Sequence, residues 1–158
     1  MNEQAIQSIV ETVVSKISPK DITLDLAQSV AQKVREKAEK MGVKAVVAIS
    51  NRAACPVLVE SMDDAYIASY DIAVQKAFTV VSLKMSTSTL RPLAQPGGSL
   101  YGIQFTNGGK IVIFGGGEPL KNREGQIIGG IGVSGGTEAQ DTALAAYGKE
   151  IFEKGQYL

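Results

Sequence analysis

The side chains available for acid–base work are Asp71, Lys76, Tyr101 and Glu118. None has a partner visible in the sequence, and a general acid or base needs one to tune it. The chain contains no histidine. That removes the commonest general base and transition-metal ligand, and with them any Ser-His-Asp or Cys-His nucleophile. Cys55 is the one cysteine. It cannot close an internal disulfide, which fits a reducing cytoplasm, and without an activating histidine it reads as a small packed residue at a hairpin rim. Asp63 and Asp64 are adjacent carboxylates, fewer than the oxygen set a hard cation takes.

The stretch from Leu93 to Thr137 holds five glycine clusters: Gly97-Gly98, Gly108-Gly109, Gly115 to Gly117, Gly129-Gly130 and Gly135-Gly136. Glycines beside strands let a second backbone or a ligand come close. GGGEPLKN lacks the Lys-Ser/Thr pair of a phosphate-binding P-loop. Gly130-Ile131-Gly132 with Gly135 spells G-x-G-x-x-G, but the glycines lie inside a strand and not at a strand-to-helix turn, so dinucleotide binding does not follow. Thr137 and Gln140 form a capping box. Gly135-Gly136-Thr137 then presents backbone N–H groups at a helix start, where an anion can bind.

These residues are positioned by a chain of 158 residues, enough for one core, with 44% apolar residues. Lys+Arg and Asp+Glu both number 16, so a nucleic-acid or anionic-membrane partner is not expected. No apolar run reaches the roughly 18 residues that span a bilayer, and the start MNEQAIQSIVETVV lacks the basic region of a secretory leader. Ile6, Ile9, Val10, Val13, Val14 and Ile17 form one apolar stripe on a helix from Asn2 to Ile17, capped by Asn2 and stopped by Ser18-Pro19. This first segment, residues 1–20, reads as a detachable docking helix and linker or as an ordinary first helix of the domain. The remainder, 21–158, reads as one domain. A helix ends at Met41 with Gly42 after it. Strands follow at 43–49 and 56–60, joined by a turn at Asn51 to Ala54. A helix covers 69–83, and a helical turn and loop cover 85–96. Strands at 110–114 and 126–133 flank a polar connection, and a last helix begins at Thr137. Three glycines in the final strand, Gly129, Gly130 and Gly132, imply close packing against it. The fold class is α/β, an antiparallel sheet flanked by helices.

The motifs MDDA (62–65), DIAVQKAFT (71–79), LAQPGGSLYG (93–102), TNGGKIVIFGGGEPL (106–120) and GGIGVSGGTEAQD (129–141) together resemble the GlcG/HbpS family, which includes the C-terminal domain of PduO proteins. The resemblance covers Ile22 to Gly148. It implies a profilin-like domain, a homo-oligomer, and haem as the ligand. Some relatives ligate iron through histidine, and this chain has none. Residues 1–20 resemble the encapsulation peptides that carry cargo into bacterial microcompartments, so the expected partner of this helix is a shell protein or co-cargo and the expected location the compartment lumen. The expected pocket gathers Gly97, Gly98, Tyr101, Asn107, Gly115, Gly116, Gly117, Gly135, Gly136 and Thr137. Arg52 or Arg91 would pair with a carboxylate, Met62 or Met85 would approach a metal, and Tyr101 would stack on a flat ligand. Two other functions stay open: an enzyme or accessory factor for a small hydroxy acid, aldehyde or diol, and a structural or assembly cargo.

Overall fold

The computed structural model describes residues 2–16 and 18–155. Four antiparallel strands, β1 (Val46–Asn51), β2 (Pro56–Ser61), β3 (Gly117–Lys121) and β4 (Ile127–Ser134), lie in the order β2-β1-β4-β3. The helices are α1 (Glu3–Lys16), α2 (Leu24–Lys40), α3 (Ile67–Leu83), α4 (Thr87–Leu93) and α5 (Glu138–Glu153). Among the described residues this is the antiparallel α/β architecture expected.

Both central strands are apolar on two sides because helices cover both. Val47, Ile49, Ile131 and Val133 pack with α2 and α5 through Val30, Val34 and Leu144. Val46 and Ala48 face α3 at Ala73 and Ala77. The α3 layer is thin because β4 offers it no side chains at two positions. A Cβ on Gly132 would stand 2.1 Å from the Ala73 carbonyl oxygen, and one on Gly130 would stand 2.5 Å from Val80 Cγ2. Gly130 and Gly132 therefore admit a helix backbone, while Gly129 makes room for the Ile22 side chain.

The strand expected at 110–114 is absent. Ile111 and Val112 are buried, but the segment bonds to a helix and not to a strand: Val112 N donates to Thr79 Oγ1 at 3.0 Å, and that hydroxyl donates back to Gln75 O of its own helix at 2.7 Å. The third strand forms instead at 117–121, in the expected polar connection. It contains Pro119, which lies at register with Gly130. β3 is a sheet edge, where a missing N–H is tolerated. The helical turn after Met85 is a two-turn helix, α4, capped by Ser86 Oγ accepting from Thr89 N at 3.1 Å.

α1 is capped as expected, with Ala5 N donating to Asn2 Oδ1 at 2.9 Å. Its described stripe residues Ile6, Ile9, Val10 and Val13 stay about half exposed. Ile17 and the side chain of Val14 lie outside the described residues. The chain rejoins the domain where Ser18 Oγ donates to Glu124 Oε2 and Asn122 Nδ2 donates to Pro19 O.

The β1–β2 turn carries a strained residue. Asn51 Oδ1 accepts from Ala53 N and Cys55 N, which folds the turn tightly and leaves Ala54 at φ 59°. An alanine Cβ is crowded there and glycine is not. Ala54→Gly is expected to stabilise the protein by about 0.5–1 kcal/mol, read as a higher urea midpoint at unchanged slope. A lower midpoint would show that the turn is not strained.

Candidate functional site

Lys76 lies on the inner face of α3, fully buried. Its ammonium donates to Val133 O at 2.7 Å and to Asp141 Oδ2 at 3.1 Å. Asp141 lies in the first turn of α5, and its other oxygen accepts from Gly136 N at 2.9 Å. The Phe114 ring covers the remaining side of the ammonium, 5.1 Å from its centroid, a cation–π distance. Gly116 closes over the pair at φ 113°. A Cβ on it would stand 2.5 Å from Lys76 Nζ and 2.7 Å from Val133 O. Burial pushes the Lys76 ammonium below the usual lysine value, against the pull of Asp141 and Glu138. Burial also raises the Asp141 carboxyl, against Lys76 and the Gly136 and Gly135 amides. Each charge is thus tolerated only because the other is present.

Glu138, one turn before Asp141, carries the arrangement to the surface. Its Oε1 accepts from Gly115 N at 2.8 Å, and its Oε2 meets Arg91 Nη1 of α4 at 2.9 Å. Gly115 rests against the two helices that make the surface hollow, since a Cβ on it would stand 2.2 Å from Thr142 Oγ1 and 3.0 Å from Ser88 Oγ. The hollow is an open cleft of about 730 Å³ lined by Ser88, Arg91, Thr137, Glu138, Ala139, Thr142, Ala143 and Ala146. Ala139, Ala143 and Ala146 are spaced i, i+4, i+7 and give it a smooth apolar floor. Arg91 stands half exposed at the rim. The lining thus joins an apolar floor to one exposed guanidinium, in a volume within the range of small-molecule sites.

The structure gathers only part of the expected pocket. Arg91 and Thr137 line the cleft. Gly116 and Gly117 stand beside it over the Lys76–Asp141 pair, with Gly117 N donating to Thr87 Oγ1 at 2.9 Å, while Gly135 and Gly136 line a separate hollow of about 250 Å³ with Lys44, Asp64, Tyr66 and Gln140. The helix start is not an open anion site: Gly136 N is taken by Asp141, Thr137 N by Gln140 Oε1 and Gln140 N by Thr137 Oγ1. Gly97, Gly98, Tyr101 and Asn107 belong to the loop after α4, folded on itself through Gly98 N to Gln95 O and Leu100 N to Leu93 O. Tyr101 and Asn107 are exposed there and do not line the cleft.

Met62 turns its sulfur to the Ala45 amide at 3.3 Å and packs on the α2–α5 core, so it is structural. Met85 is half-buried at the α3–α4 junction, outside the cleft lining. Arg52 sits at the β1–β2 turn. Register puts that turn at the Asn51–Gly129 end of the sheet and the Gly135–Gly136 bend at the Val46–Ser134 end. Arg52 lines a separate groove of about 340 Å³ with Lys20, Gln126, Ile127 and Ile128. Asp71 is exposed and accepts from Gln75 Nε2, Glu118 pairs with Lys149 at 3.3 Å, and Asp64 pairs with Lys44 at 3.0 Å. Cys55 is exposed, not packed, because the tight turn throws it outward. The residues that sequence reasoning missed are Asp141, Glu138, Ser88 and Thr142. Their signal was Glu138-x-x-Asp141 in the first turn of a capped helix, where two carboxylates share one face.

The family model described as "Haem degrading protein HbpS-like" matches residues 22–150. An uncharacterised 15.0 kDa protein of Citrobacter freundii from the dhaT-dhaS intergenic region is 42% identical over 117 residues, 74% of this chain and 82% of that protein. The corrinoid adenosyltransferase PduO of the same organism is 40% identical over 108 residues, 68% of this chain and 32% of that enzyme. Among solved structures, a PduOC:heme complex has a TM-score of 0.78 at 34% identity, covering 82% of this chain and 93% of that one.

The buried pair sets a stability test. Asp141→Asn keeps an acceptor for Gly136 N but strands the Lys76 charge, and is expected to cost about 3–5 kcal/mol at neutral pH. Lys76→Met with Asp141→Asn removes both charges and is expected to lie within about 1–2 kcal/mol of the parent. In the single variant the folded lysine lies below the unfolded value of 10.5, so the unfolded chain binds the extra proton and stability rises as pH climbs towards that value. The double variant lacks this slope. Urea midpoints from pH 7 to 10 check both, and equal losses in the two variants would show that the pair is not coupled.

Proposed function

This chain belongs to the HbpS-like family, and on that premise we propose that it binds haem or a related flat tetrapyrrole in the α4–α5 cleft, as a homo-oligomer that α1 brings into a bacterial microcompartment. The observation that carries the reading is the cleft itself. An alanine floor receives a ring face, and the Arg91 guanidinium at the rim has further N–H donors for a ring carboxylate after its contact with Glu138. The likeness to a haem complex of a PduO domain supports the ligand class. Glu138, tied to both Arg91 and Gly115, holds the rim in place and is not free to act on the ligand.

Two exposed surfaces support the rest of the reading. Tyr66, Ile67 and Tyr70 at the start of α3 are exposed, Ile67 almost completely at 97%, and such apolar clusters are where subunits meet. The half-exposed stripe of Ile6, Ile9, Val10 and Val13 on α1 suits helix-in-groove docking on a shell protein or co-cargo. The relation to PduO and the likeness of residues 1–20 to encapsulation peptides point to the same location.

Haem titration of the full chain tests the site. A saturable Soret change is expected. Ala143→Trp, which fills the floor, should abolish it, and Arg91→Ala should weaken binding about tenfold, the ~1.4 kcal/mol worth of one charge-assisted contact. Binding unaltered in both folded variants would place the ligand elsewhere.

The α1 reading has its own test. Residues 1–20 fused to a fluorescent reporter should collect in puncta in cells making shells and disperse when Ile9 and Val13 are both changed to Glu. A diffuse parent fusion would end this reading.

A further inference from the structure

We infer that the α4–α5 cleft recognises a tetrapyrrole by its ring face and acid groups and supplies no ligand to a central metal. The inference rests on the cleft reading above and concerns what that cleft selects.

Haem iron is held by histidine, thiolate, methionine or tyrosinate. The chain has no histidine. Among the described residues the other donors all lie outside the cleft lining. Cys55 is at the β1–β2 turn, with its thiol 3.7 Å from Ala53 O. The Met62 sulfur is occupied by the Ala45 amide. Met41 closes α2 and packs on the α2–α5 core. Met85 and Tyr101 flank α4 in sequence without reaching the hollow. Of the amines around the cleft, Lys76 lies beneath Gly116 and Phe114, spent on Val133 O and Asp141, and Lys149 pairs with Glu118.

The side-chain acceptors of the cleft are oxygens only, since the Arg91 guanidinium has no lone pair for a metal. The Thr137 hydroxyl accepts from Gln140 N. Ser88 and Thr142 contribute neutral hydroxyls. Both Glu138 oxygens are engaged, one by Gly115 N and one by Arg91. The lining therefore fits a flat, acid-bearing ring and does not fit a ligated iron. Affinity has to come from the alanine floor and Arg91, neither of which senses the ring centre.

The test compares haemin with metal-free protoporphyrin IX on the full chain, by quenching of porphyrin fluorescence and by the Soret band. The two dissociation constants are expected to agree within about threefold, and both should rise on Arg91→Ala. Imidazole added to the haem-loaded protein should shift the Soret band without releasing the ring. Met85→Ala and Tyr101→Phe should leave the haem spectrum unchanged. Haem binding more than about tenfold tighter than the metal-free ring, or a spectrum altered by either substitution, overturns the inference and leaves the cleft reading standing. Failure of both rings to bind overturns the two together.

Discussion

The approach of α3 to β4 sets the terms for everything around it. Gly130 and Gly132 let the helix backbone settle on the strand, and at that separation a long side chain on the helix face has no route to water. Lys76 is such a side chain. An ammonium cannot be left unpaired in that layer, since the cost of removing it from water exceeds what one carbonyl contact returns. Asp141 answers it from α5, on the far side of the Gly135–Gly136 bend. Gly116 then has to be glycine, because the pair fills the space a side chain would need. Three separate glycine clusters thus serve one buried pair.

The same requirement shapes the outer surface. Asp141 has to stand in the first turn of α5 to reach the lysine, and this places Glu138 three residues earlier on the same face. Glu138 fastens the Gly115 amide and turns Arg91 of α4 towards α5. The hollow between the two helices is the space left when α4 is held by this contact. Its floor is alanine because larger side chains on that face of α5 would fill it. Charge buried inside and charge displayed at the rim therefore stand on one turn of α5, Asp141 turned inward to Lys76 and Glu138 outward to Arg91.

Helix positions were legible in the sequence because caps and apolar periods are local. Thr137 with Gln140, Asn2, and Gly42 after Met41 each mark an end by their own chemistry. The close contact on β4 was legible too, because glycine weakens a strand unless another backbone needs the room. The third strand was not. Ile111 to Phe114 is the better β pattern, but the Val112 amide is taken by the Thr79 hydroxyl on α3, a long-range contact without a local signature. The site was half legible for the same reason. Arg91 and Thr137 lie in or beside the glycine-rich stretch and reach the hollow. Arg52 and Met62 have suitable chemistry but belong to other parts of the sheet, and only strand register reveals which end each occupies. Asp141 was hidden because its role depends on a lysine 65 residues away.

Pro119 in β3 and Pro56 at the head of β2 stand on the two outer strands of the sheet. Each removes a donor from a rim that would otherwise template another chain. Cross-β polymerisation is discouraged at both flanks, so copies of this molecule concentrated in a small volume should associate through side-chain surfaces and remain discrete particles instead of growing into fibres.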